Sequence, residues 1–201
     1  MSRAGHSGHQ RVVALKPPPV SRGASASGIY FASNAFLPGY LAEVGRPGLV
    51  SPALTALNLG QLPASLLLIA FGRQLERKRW PFVLAGGVCL VSIVVIVATA
   101  NALTVASAGV LGFAAGSAFA LGLTLPPLLS TPREVARVSA AMFTIGYTNA
   151  VLVSILSGAA WDFAGTARFA FLPIALSALS LALLLLTMTF ERGASNIARA
   201  E

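Results

Sequence analysis

The chain has 201 residues, of which 56% are hydrophobic and 10% charged. A water-soluble domain is about half apolar and about a quarter charged, so this balance and a mean hydropathy of +0.79 point to lipid as the solvent. The net charge of +8 is confined to the two tails and to short segments between apolar runs, which leaves no basic face for nucleic acid, and a single cysteine, Cys89, excludes an intrachain disulfide or a thiolate metal cluster.

Residues 1–27 form a tail rich in Gly, Ser and Pro that holds His6, His9 and the run KPPP. It lacks a clear signal-peptide cleavage site and is expected to be a cytoplasmic linker. Charge-free runs then cover 23–42, 47–72, 80–132, 138–161 and 169–190. About 20 helical residues cross the roughly 30 Å hydrocarbon core, so each run can span a bilayer. The run 80–132 is 53 residues long and must fold back, for which Asn101 in ATANAL is the natural turn.

Six transmembrane helices are therefore expected, at about 28–45, 50–72, 81–100, 104–130, 138–160 and 169–190, followed by a C-terminal tail at 191–201. Helices are preferred to barrel strands because the runs are long and continuously apolar rather than alternating. The bundle is thus an all-α membrane protein with the bilayer as its first partner.

Twelve of the fourteen Lys and Arg residues fall in the two tails, in FGRQLERKRWP at Phe71–Pro81, and in the loop holding Arg133 and Arg137; Arg46 and Arg168 are the other two. The positive-inside rule then places both termini in the cytoplasm, in a multi-pass arrangement in the inner (plasma) membrane.

Polar residues are unevenly shared among these segments. Tyr30 and Asn34 lie in the first, Asn58 and Gln61 in the second, Ser117 and Thr124 in the fourth, and Tyr147, Thr148 and Asn149 in the fifth. Intramembrane polar groups usually face a bundle interior or a wet cavity, so these four helices are expected around a cavity and the third and sixth outside. Pro38 and Pro63 free the carbonyls of Asn34 and Leu59, beside the amides. Such spots suit a midplane binding site, although the amides can equally cross-link helices. Gly109, Gly112 and Gly116 read first as a packing stripe, and Pro126 and Pro127 as a helix break or kink.

No acid, base or histidine lies deep in any expected span. That removes a proton relay, a buried counter-ion and an intramembrane serine protease. Gly-rich nucleotide loops and zinc motifs are missing as well, so neither an enzyme nor a cofactor is expected.

Four stretches resemble the C-terminal six-helix half of the major facilitator superfamily of transporters. FGRQLERKRW resembles its loop between the second and third helices of a half, with Gly72, Glu76 and Arg77 at the motif positions; Glu replaces the usual Asp, and Lys78 the second Gly. SGAAWDFAGTARFAF resembles the end of helix eleven through Gly158, Asp162 and Gly165. The segment from Gly112 to Ala150, with its Gly146–Tyr147 pair, and SNAFLPGYL at 33–41 are similar to the cyanate and nitroimidazole transporter branch.

The resemblance implies two inverted three-helix repeats, about 28–100 and 104–190, as half of a twelve-helix fold. It further implies secondary-active transport of a small solute by alternating access, with an N-terminal six-helix half or a second copy as partner. Tyr30, Asn34, Asn58, Gln61, Tyr147 and Asn149 are the candidate lining residues of the substrate path. The rival expectations are a non-transporting assembly subunit or a truncated inactive fragment; the permease of an ATP-driven transporter is disfavoured by the short loop Thr131–Arg137.

Overall fold

The computed structural model describes residues 20–75, 80–129 and 135–183, and all regular structure among them is helical. Helix α1 covers Val20–Glu43 and is followed by a 3-10 turn at Pro47–Leu49. Helices α2 (Val50–Leu59) and α3 (Gln61–Leu75) are two pieces of one long stretch. Then come α4 (Trp80–Thr99), α5 (Ala102–Leu129), α6 (Val135–Ala164), a 3-10 turn at Ala167–Ala170 and α7 (Phe171–Leu183).

Three of the described helix ends are closed by local chemistry that the sequence carries. Between α4 and α5, Asn101 accepts the Leu103 N–H on Oδ1 at 2.8 Å while Thr104 Oγ1 accepts the Asn101 N–H at 3.1 Å, a reciprocal cap that holds the expected turn. After α1 the Arg46 N–H reaches the Leu41 carbonyl at 2.8 Å and the Gly45 N–H the Ala42 carbonyl at 3.1 Å, with Gly45 at φ +74. This pairing satisfies carbonyls that the helix end would otherwise orphan. Gly165, at φ +69, ends α6 with its N–H on the Trp161 carbonyl at 2.8 Å.

Among the described residues, four stretches are long and apolar enough to cross a membrane: Pro47–Ile69, Trp80–Thr99, Ala102–Leu123 and Val135–Ala164. That is compatible with a multi-pass membrane protein. Two of the six expected spans fall outside this set. Ser, Gly and Asn dilute the hydropathy of α1, and the last apolar helix is described only from Ala167 to Leu183.

Other boundaries differ from expectation. Helix α1 begins at Val20, inside the stretch 1–27 expected to be a linker, because Ser25–Ile29 are buried and Ser25 Oγ lies 3.3 Å from Ser180 Oγ on α7. Small residues pack tightly here although hydropathy does not mark them. The second expected span is interrupted at Gly60 by a kink rather than an unwound segment: Gly60 keeps helical φ and ψ with its N–H on the Ala56 carbonyl at 2.9 Å, while Pro63 leaves the Leu59 carbonyl without its helical donor. Helix α5 instead remains helical through Pro126 and Pro127 to Leu129.

Helix α1 packs on α6, α5, α7 and α2, while α5 packs on α4, α2, α3 and α1; α4 and α7 also pack on each other. Ile29, Leu37, Leu57, Phe82, Ile96 and Leu111 are among the fully buried side chains. Helices that associate in lipid gain no hydrophobic drive from it and depend more on the close approach of small residues. A Cβ on Gly112 would collide with the Leu57 carbonyl, and one on Gly60 with the Gly109 carbonyl, so α5 crosses the α2–α3 kink in backbone contact. Outward stripes at Leu84, Val88, Val91 and Val94 on α4, and at Leu172, Leu176, Leu179 and Leu183 on α7, leave apolar surface on the far side of these two helices.

Candidate functional site

Tyr30 and Asn34 stand one turn apart on α1, and Asn58 faces them from the last turn of α2. The Tyr30 hydroxyl donates to Asn58 Oδ1. Asn58 Nδ2 donates to Asn34 Oδ1 at 3.0 Å and to the Leu54 carbonyl at 2.8 Å, and Asn34 Nδ2 donates to the Tyr30 carbonyl at 3.1 Å. Three of the six candidate residues thus form one network between two helices, immediately before the Gly60 kink.

An amide supplies two N–H donors and a two-lone-pair oxygen. Asn58 spends both donors within the network, whereas Asn34 spends one. Among the described residues, the second Asn34 proton and the hydroxyl lone pairs of Tyr30 are left for a further polar group. Asn58 is exposed and Tyr30 and Asn34 are half-buried, so the network lies at an open face.

Tyr147 is reached by another route. Phe31 meets Tyr30 edge-on at 5.5 Å between ring centroids and meets Tyr147 at 6.0 Å; Tyr147 then stacks on Phe143 at 6.3 Å with 20° between planes. Four rings make a row from α1 to α6, and a narrow cleft lined by Ser27, Phe119, Met142 and Tyr147 opens beside it. Aromatic neighbours at these separations attract by about 0.5–1.5 kcal/mol beyond area burial.

The other two candidates serve helix contacts. A Cβ on Gly28 would lie 2.5 Å from Asn149 Nδ2, which puts Asn149 in the α1–α6 seam, and one on Gly116 would lie 2.9 Å from Gln61 Cγ, which puts Gln61 against α5. Of the helix-end motif, Gly158 lies beside Phe36, Asp162 is exposed and Gly165 forms the terminal turn. Gly72 is helical in α3, while Glu76 and Arg77 lie outside the described residues.

Sequence reasoning overlooked Glu43. Both of its carboxylate oxygens accept the Ala167 N–H, at 3.0 and 2.8 Å, tying the end of α1 to the turn before α7. It also overlooked Tyr40, whose hydroxyl donates to the Val97 carbonyl at 2.8 Å and whose ring meets Phe171 edge-on at 5.4 Å. Among the described residues, no three His, Cys, Asp or Glu side chains are grouped to hold a metal.

The site can therefore hold a ligand through neutral hydrogen bonds and aromatic faces. The chain matches no family model, no curated protein and no solved structure.

Proposed function

We propose that this chain is one six-helix wall of a secondary-active transporter of the major facilitator type, related to the cyanate and nitroimidazole branch, in which two bundles rock about a midplane site. The observation that carries this reading is the Tyr30–Asn58–Asn34 network, open to one face at a helix kink. Interrupted helices with spare donors and acceptors near midplane are where such transporters hold substrate.

The helix pairing supports the two-repeat arrangement. Taking α2 and α3 as one span, exchange of the first three spans with the last three maps the α1–α6 pair onto α5–α2, maps α1–α7 onto α5–α4, and leaves α1–α5 and α4–α7 unchanged. Two three-helix units of inverted topology produce that pattern, since an odd number of crossings reverses the second unit. In this reading a small neutral or weakly polar solute passes between the α1/α2/α6 face and a matching bundle, either an N-terminal half or a second copy.

Uptake by cells carrying this chain alone, and together with a matching N-terminal half, is the direct test. Solute accumulation that appears with one of these and is lost in Asn58→Leu supports transport. Correct insertion without uptake in any pairing favours the non-transporting subunit or inactive fragment.

A further inference from the structure

We propose that the groove between α4 and α7, at the end of the bundle that carries Arg168, binds an anionic phospholipid, with the phosphate on the Arg168 guanidinium and an acyl chain in the groove. The inference rests on the reading that the chain spans a membrane.

The groove has a volume of about 410 Å³. Ile93, Val97, Ala98, Phe169 and Leu172 contribute to its wall, and Arg168 is the one charged residue among those lining it. This pattern matches an amphiphile: apolar walls with a single cation among them.

The groove shares Val94 and Leu172 with the apolar stripes of α4 and α7, and neither helix supplies a residue of the Tyr30–Asn58–Asn34 network, so a ligand here meets acyl chains rather than the proposed solute path. The small side chains of Ala98 and Ala175 form part of the lining.

Arg168 is exposed and sits in the 3-10 turn that leads into α7, after the last residue of α6. Its nearby acid, Glu43, turns both oxygens to the Ala167 N–H. Guanidinium matches phosphate with paired N–H donors, so Arg168 offers a two-point contact to a headgroup phosphate. Arg168 is also one of only two basic residues outside the cytoplasm-directed clusters, where orientation favours their absence. A headgroup contact gives it a reason to be there.

The full chain in detergent, titrated with phosphatidylglycerol, phosphatidylcholine, palmitate and inorganic phosphate, provides the test. Phosphatidylglycerol should raise the unfolding temperature and survive as a one-lipid adduct in native mass spectrometry, with at least tenfold preference over the other three. Arg168→Gln should remove that preference, Ala98→Leu should weaken it by filling the groove while leaving Arg168 in place, and Arg46→Gln should leave it unchanged.

Equal response to phosphatidylcholine would overturn the proposal, as would equal protection by inorganic phosphate or palmitate. So would an unchanged preference in Arg168→Gln, or in Ala98→Leu. Release of the chain from membranes by alkaline carbonate would instead overturn the membrane reading itself, so the two failures are separable.

Discussion

Asn58 joins two side chains of α1 to the backbone of α2, so its loss reaches further than one bond. Hydrogen bonds between helices in a membrane contribute about 0.6 kcal/mol on average and about 1.7 at most. Asn58→Leu should accordingly cost less than about 3 kcal/mol of stability, measured by unfolding in mixed micelles. If the network contacts the solute, uptake falls more than tenfold while the protein remains folded; equal losses in both would reduce it to a helix cross-link. Glu43 offers a second single-residue test. Glu43→Gln keeps an acceptor for the Ala167 N–H but removes the charge, whereas Glu43→Ala leaves that N–H unpaired, so a loss of about 1 kcal/mol should grow to about 1–3 kcal/mol. Unfolding temperatures equal to that of the unsubstituted protein in both variants would show that the contact contributes nothing.

At the scale of elements, the α2–α3/α5 crossing is the contact most sensitive to added bulk. Gly112→Val sets a branched side chain into the Leu57 backbone and should separate the helices; overpacking of this kind costs about 1–3 kcal/mol or more. Gly87 has open space at its Cβ position, so Gly87→Val at a helical site should be tolerated far better. Expression and thermal stability of the two variants side by side check the difference. Much at this scale was legible in the sequence: Asn101 marks the α4–α5 turn because an Asn with Thr three residues on caps a helix, and the charge-free runs locate α4, α5 and α6. The start of α1 was not, since Ser and Gly pack without raising hydropathy. Nor was the Glu43 contact, whose partner is a backbone N–H 124 residues away with no side-chain signature. Spacing brought out Tyr30 and Asn34 together, yet could not tell that Gln61 and Asn149 point into helix seams.

For the whole molecule, orientation is the property with the clearest outcome. Reporter fusions after Arg77, after Arg133 and at the C-terminus should all signal cytoplasm, and fusions at Arg46 and Arg168 the opposite side. One reversed signal breaks the six-span topology. The open face that exposes Asn58 has a consequence in the cell as well. A bundle left alone in lipid presents hydrogen-bonding groups to hydrocarbon, where they are costly, and a mate that covers them removes the cost. The lifetime of the protein should then depend on its mate: pulse-chase turnover slows when a matching bundle is co-expressed, and Asn58→Leu, with less polar surface to hide, narrows the difference.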